Sequence, residues 1–328
     1  MAEYDYSKLV VMLIDPDLNP RRLLRGMLAR YGIDKIQEFP GTAEATAAFQ
    51  AMAPDLIVVD GAPTEAGDPM KWVGQLRHGH LPVNPFVPVM VVVWEATQPM
   101  LMRFASSGAD DLLMKPFSQK QIADRLQNLV ENRRDFVVTS DYVGPDRRRS
   151  PREGQQVPLV KVPNTLRLKA LGEFAGADVA ELTAAAQAQI NEQKVVRHGF
   201  QIAFLVEFAR PGLVAAEGRA EPEKLAVEHL LRVPGVVHDL MRRLPEGEVR
   251  TQAERYGRQL FEQAERLRHH PATPLEDTAI LRDAGIGLAA LTGRRTDLAA
   301  VEQEVQAAVS GYRGRLEQIA QAKAAASA

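Results

Sequence analysis

Three acidic residues and one lysine stand at the ends of apolar runs, in an arrangement that suits phosphoryl chemistry. VVMLI (10–14) runs into Asp15, Pro16 and Asp17; DLIVVD (55–60) ends on Asp60; DLLMK (111–115) ends on Lys115, with Pro116 and Phe117 behind it. Carboxylates gathered on one rim can hold Mg2+, a small hard cation that takes oxygen ligands in near-octahedral geometry and keeps several waters. An ammonium opposite them pairs with a phosphoryl oxygen, and one carboxylate can serve as the nucleophile that forms an aspartyl phosphate. The plainer alternative is a set of strand-end acids ion-paired to a lysine.

For these groups to meet, the runs that carry them must be neighbouring strands. The first 130 or so residues alternate five short apolar or β-branched runs (10–14, 35–39, 55–60, 87–93 and 111–115) with amphipathic stretches of helix length. That alternation predicts five βα units and a parallel sheet covered by helices on both faces. The runs at 55 and 87 are apolar nearly throughout, as strands buried on both faces should be. Ser118 and Gln121 in PFSQKQIADRL have capping-box spacing and mark the start of the helix after the fifth run. An open sheet of this kind takes its ligand beyond the carboxyl ends of the strands, and that is where the acids and the lysine fall.

The rest of the chain reads differently. Residues 133–165 carry Gly-Pro, further prolines and the GPDRRR run (144–149); from 131 to 170 there are nine Lys or Arg against five Asp or Glu, the composition of a basic flexible linker or arm. Beyond it, residues 166–328 show helical patterns only. Asp178 with Glu181 forms a cap ahead of Val179, Leu182, Ala186 and Ile190; Thr273, Pro274 and Glu276 form another ahead of Leu281, Ala284, Leu288 and Leu291. Leu298, Val301, Val305, Ala308, Tyr312, Leu316 and Ile319 make a last apolar stripe, suited to a bundle core or a dimer seam. Breaks are expected at Pro211, Pro234, Pro245 and Pro271.

Bulk composition limits the remaining options. The chain has 328 residues, 45% hydrophobic and 25% charged, with a formal net charge of -2, so it is not built as a whole around nucleic acid. It has no cysteine, which removes disulfides, thiolate metal sites and cysteine nucleophiles. MAEYDYSKLV has no basic region followed by an apolar core, and no apolar run approaches the roughly 18 residues that span a bilayer. A cytoplasmic location, no transmembrane segment and no small-molecule substrate are expected.

LIDPD, PDLIVVD, PVMVVVWEA and above all GADDLLMKPF make residues 8 to about 132 resemble the receiver domain of bacterial two-component response regulators. The resemblance implies a doubly wound, flavodoxin-like α/β sheet in the order 2-1-3-4-5, followed here by an all-α domain. It implies that Asp60 is the phospho-acceptor served by a histidine kinase or other two-component protein, and that Lys115 contacts the phosphoryl group. The strand-one acids Asp15 and Asp17, with Asp60 and the main chain of Ala62, would hold Mg2+, and Pro116 is a candidate cis proline.

Three positions depart from the family pattern. Pro16 stands where the second of two adjacent acids is usual, leaving Asp17 one residue late and the Mg2+ site weaker. Val93 stands where the family has Thr or Ser, and Leu112 where it has Tyr or Phe. Valine cannot donate a hydrogen bond to a phosphoryl group, and leucine has no ring to swing inward, so the usual switch loses both levers. Two readings follow: a degenerate receiver that acts mainly as a docking module, and a working receiver with a displaced metal ligand. The helical part is expected to act by partner binding or as a homodimer, through the receiver or the C-terminal helices. The alternative is phosphotransfer or phosphatase activity, for which His238, His198 and the Glu248–Gln252 pair are the candidate groups. GPDRRR could meet phosphate or anionic lipid, and His269 and His270 read as a fraying helix end.

Overall fold

The computed structural model describes residues 4–65, 67–148, 158–213, 223–269 and 275–326. The chain divides into two units, Met1–Ile190 and Asn191–Ala328.

In the first unit, β1 (Val10–Ile14), β2 (Lys35–Phe39), β3 (Leu56–Asp60), β4 (Val89–Val93) and β5 (Asp111–Met114) form one parallel sheet in the order β2-β1-β3-β4-β5. Between and after them run α1 (Leu18–Ala29), α2 (Thr42–Ala48), α3 (Pro69–Arg77), α4 (Gln98–Ser107) and α5 (Gln119–Glu131). The doubly wound fold read from the β-α alternation is the fold observed. Strand alternation feeds two apolar layers. Val11, Leu13, Val58, Met90, Val92 and Leu113 pack with Leu24 and Leu28 of α1 and Ile122, Leu126 and Leu129 of α5. The opposite face sends Met12, Ile14, Ile57, Val59, Val91 and Val93 against Ala45 of α2 and Val73 and Leu76 of α3.

Helix α5 starts as its sequence demands. The Ser118 hydroxyl accepts from the Gln121 amide, and the Gln121 side chain accepts from the Ser118 amide, closing the capping box. Removing such a cap leaves an amide donor unsatisfied, so Ser118→Ala is expected to lower stability by about 1 kcal/mol. The denaturant midpoint should fall with an unchanged slope, and an unmoved midpoint would mean that the cap contributes nothing.

The stretch read as a flexible linker differs most from expectation. Its described part contains β6 (Phe136–Val138), β7 (Val143–Pro145) and β8 (Leu159–Val160), an antiparallel sheet in the order β7-β6-β8, followed by α6 (Thr165–Ala170). Phe136, Val138, Val143 and Val160 are buried with Phe86, Ala186 and Ile190 in a core of their own. The charges that suggested solvation are engaged. Arg77, with a fully buried side chain, donates to the carbonyls of Gly108 (2.8 Å), Pro85 and Val87 (2.8 Å) and pairs with Asp110 at 2.7 Å. Arg133 pairs with the same carboxylate at 2.8 Å, and both guanidinium groups lie over the Phe136 ring. Within GPDRRR, Arg147 donates to the Ala109 carbonyl and stacks 4.0 Å from the Phe104 ring centroid, while Arg148 chelates Asp146. Arg149 lies outside the described residues. Gly108 ends α4 in the left-handed region at φ 83°, and a Cβ there would come within 2.5 Å of the Val143 carbonyl; only glycine meets both demands. On the other side of the unit, Asn164 and Arg167 donate to the carbonyls of Leu129 and Val130, satisfying the last turn of α5.

The second unit is helical, as expected. Helix α7 (Val179–Leu213) leads into it, capped by Asp178, whose carboxylate accepts from the Glu181 amide. It is followed by α8 (Lys224–Leu230), α9 (Val233–Met241), α10 (Glu248–His269), α11 (Leu275–Thr292) and α12 (Leu298–Ala326). Pro211 lies inside α7 rather than ending it. The predicted cap at Thr273 and Pro274 and the break at Pro271 fall outside the described residues. Leu281, Ala284 and Leu288 are buried with Leu240 and Leu260 in one cluster; Val301, Val305 and Val309 of α12 are buried with Phe208 and Ile286 in another. The final stripe is therefore intramolecular core from Val301 to Tyr312 and Leu316, with Leu298 before it and Ile319 beyond it exposed.

Candidate functional site

Three of the sequence-predicted groups converge. Asp15 follows β1, Asp60 closes β3, and Lys115 follows β5, where its amide donates to the Val93 carbonyl at 2.7 Å and so prolongs the β4–β5 ladder by one residue. The Lys115 ammonium bridges the two carboxylates, 2.8 Å from Asp15 Oδ2 and 2.7 Å from Asp60 Oδ2. The second oxygen of each acid is held from the main chain: Asp17 N donates to Asp15 Oδ1 at 2.9 Å, and Ala62 N to Asp60 Oδ1 at 2.8 Å. These turns aim the carboxylates before any ligand arrives. Behind Asp60, a Cβ on Gly61 would lie 2.8 Å from the Val91 side chain and nearer still to Met100, so the backbone passes where a side chain could not.

All three charged side chains are largely buried. Burial by itself would lower the Lys115 pKa. The hydrogen bonds and negative charge of Asp15 and Asp60 together outweigh it, and the net shift is upward. The ammonium is thus firmly charged at neutral pH. Arg21 donates to the Asp15 carbonyl at 2.7 Å, and Pro20, Arg21, Leu24 and Phe117 help wall a cavity beside the three groups, on the α1 side of the sheet. Its volume is about 10 Å³. A single water needs roughly that much. The indole of Trp94, directly after β4, lies over the ammonium with its ring centroid 5.3 Å from Nζ, although 60% of the residue remains exposed. Sequence reasoning met Trp94 only within PVMVVVWEA and missed this stacking; an aromatic one residue past a strand that ends at the rim was the available signal.

Other expected groups stay apart. Asp17 is exposed at the N-terminus of α1 and its side chain makes no cap bond. Among the described residues, no three His, Cys, Asp or Glu side chains are grouped to hold a metal ion. The remaining donors, two carboxylates and the Ala62 carbonyl, still fit Mg2+ as half of its six ligands, since that ion is commonly held by one or two carboxylates and otherwise by water and phosphate oxygens. Val93 is buried and Leu112 half-buried, both in the same apolar layer. The Lys115–Pro116 peptide is cis.

In the second unit, His198 is buried and His238 is exposed, beside a groove of about 450 Å³ lined also by Met241, Arg258 and Phe261. Glu248 and Gln252 are exposed, and the amide donates to the carboxylate at 3.2 Å. His229, which the sequence reading passed over, is buried and packed 4.3 Å from the Phe208 ring. No helix among the described residues is long and apolar enough to cross a membrane.

Comparison with known proteins fits the first unit. The family model of the response regulator receiver domain matches residues 11–127. Hybrid signal transduction histidine kinase D of Dictyostelium discoideum is 28% identical over 126 residues, which are 38% of this chain and 8% of that protein. This chain therefore spans only a small part of that relative's length. Among solved structures, a Vibrio cholerae chemotaxis protein is similar at 21% identity and a TM-score of 0.33, covering 37% of this chain and 97% of the other. The signal receiver domain of NarL from Mycobacterium tuberculosis is similar at 19% identity and a TM-score of 0.33, covering 38% and 98%. With the β2-β1-β3-β4-β5 sheet and the paired strand-end acids already in place, residues 11–127 are a response regulator receiver domain.

Proposed function

We propose that this receiver accepts a phosphoryl group on Asp60 slowly and without the usual switch, and that the helical unit signals by protein contact. The observation that carries the reading is the double ion pair of Lys115 with Asp15 and Asp60, which keeps the acceptor in place but engaged. In the transfer, an Asp60 carboxylate oxygen forms a bond to phosphorus while the donor's bond to phosphorus breaks and the donor leaves with that electron pair. Lys115 then offsets charge on the phosphoryl oxygens. Mg2+, held weakly by Asp15, Asp60 and the Ala62 carbonyl, would supply further neutralisation of that charge.

Val93 gives the phosphoryl group no hydroxyl to draw in, and Leu112 gives no ring to follow it. Phosphorylation therefore has little with which to bias a second conformation. A histidine kinase or another two-component protein is the proposed donor. Self-association, or binding of another protein by the helices, is the proposed output.

Incubation of the full chain with acetyl phosphate and Mg2+, followed by intact mass and light scattering, tests this. The expected result is a single phosphoryl adduct that Asp60→Ala abolishes, with no change of oligomeric state. A phosphorylation-dependent change of assembly that Asp60→Ala removes would overturn the switchless reading, and absence of any adduct would overturn the acceptor reading.

A further inference from the structure

We propose that Trp94 is a lid over the acceptor, a positioning residue that restrains Lys115 and so sets how fast Asp60 exchanges phosphoryl groups. This rests on the acceptor reading of Asp60 and goes beyond it. Three observations carry it. The ammonium that holds Asp60 has the Trp94 ring over it, 5.3 Å from the centroid, so the lysine is bound from two directions, by carboxylates and by an aromatic face. The cavity that reaches these groups from the Leu24 and Phe117 side has about 10 Å³, room for one water rather than for a phosphoryl group with three oxygens, which leaves the exposed side of the ammonium, where the indole lies, as the way in. Trp94 is also 60% exposed while its neighbour Val93 is buried, so the indole can swing aside without disturbing the apolar layer.

Entry of a phosphoryl group requires Lys115 to release Asp60 Oδ2 and turn toward the incoming oxygens. That motion breaks the contact with the ring. The same lid hinders the reverse traffic: hydrolysis needs a water to attack phosphorus in line with the Asp60 oxygen, breaking that O–P bond and releasing inorganic phosphate, and the indole stands over the approach. Trp94 thus slows both filling and emptying of the site. Any donor, a small acyl phosphate included, has to displace it.

The test uses the full chain with acetyl phosphate and Mg2+, comparing wild type, Trp94→Ala, Trp94→Phe and Asp60→Ala. The adduct is followed by intact mass during labelling and after removal of the donor. Because an exposed cation-aromatic contact corresponds to a factor of about 2–5 in an equilibrium, Trp94→Ala is expected to speed labelling of Asp60 about threefold or more and to shorten the adduct's lifetime by a similar factor. Trp94→Phe, which keeps a ring face, should fall between, a graded response that a purely structural role would not give. Unchanged labelling and lifetime in Trp94→Ala, with Asp60 still labelled, would overturn the lid and leave the acceptor reading standing. Slower labelling in Trp94→Ala would overturn it too, by showing that the ring assists transfer. Absence of label in every variant would remove the acceptor reading and the lid with it.

Discussion

Replacing Asp110 with alanine is expected to destabilise the receiver unit by about 3–5 kcal/mol, the usual consequence of removing one partner from a buried ion pair. Its carboxylate is the common acceptor for Arg77 at 2.7 Å, Arg133 at 2.8 Å and the Val89 amide at 2.8 Å, and its side chain is nearly inaccessible. Burial already pulls the Arg77 guanidinium down to about 10, against the opposing charge of Asp110. Without that charge, two cations share the faces of Phe136 with no anion between them, and a strand amide loses its acceptor. Asp110→Asn should recover only the neutral part of the loss, since an amide oxygen still accepts from Val89 but cannot balance the arginines. Both tryptophans of the chain, Trp72 and Trp94, lie in this unit, so urea unfolding followed by tryptophan fluorescence reads it directly. A shift worth less than about 1 kcal/mol would show that solvent or relaxation compensates the charge and that the hub is not buried as described.

Lys115→Met is expected to cost about 3 kcal/mol at pH 7 and to move the loss of stability with rising pH from the alkaline range into the acid range. In the wild type, the raised Lys115 pKa means that its contribution is fully present below the ordinary lysine value and is lost as pH rises through the higher folded-state value. That places the wild-type loss on the alkaline limb, above about 10.4. In the methionine variant the same two carboxylates face each other without a cation. Like charges sharing a site push one carboxyl pKa up, so that group stabilises the fold only while protonated, and the contribution disappears as pH rises through the acid range above about 4. Urea midpoints of the two proteins measured from pH 4 to pH 8 should therefore diverge as pH increases. Parallel curves would show that the carboxylates are solvated well enough to need no ammonium.

How much of this could be read in the sequence depends on the length of the segment that carries each feature. Strands β3 and β4 were legible because a strand buried on both faces must be apolar, and LIVVD and VMVVV can hardly be anything else, whereas KIQEF of β2 was legible only from its place in the β-α alternation. The meeting of Asp15, Asp60 and Lys115 followed, since strand ends locate the crevice, but Asp17 does not join them. The second sheet was not legible: β6, β7 and β8 have 3, 3 and 2 residues, β7 consists of Val-Gly-Pro, and the intervening arginines look solvated when read in order. Only the fold shows that Arg77 and Asp110, 33 residues apart, neutralise each other beneath Phe136. Among the helices, Asp178 gave a true cap and the 281–288 face a true core, whereas Pro211 was read as a stop and is carried inside α7, near its C-terminus.

The contact of Gly108 with β7 bears on how such a chain can be cut and recombined. A Cβ on Gly144 would fall 2.6 Å from the Gly108 Cα, so the α4–β5 turn and the added hairpin touch backbone to backbone. The family match ends at residue 127, but a receiver excised there would leave behind Phe136, Arg133 and the Arg147 clamp, and would carry away Arg77 and Phe86 with nothing over them. The portable cassette has instead to include the whole compact unit, Met1–Ile190. Chimaeras that exchange receivers at the family boundary would join an incomplete floor to a foreign partner, whereas junctions that leave β6, β7, β8 and α7 uncut keep the floor with the sheet it supports.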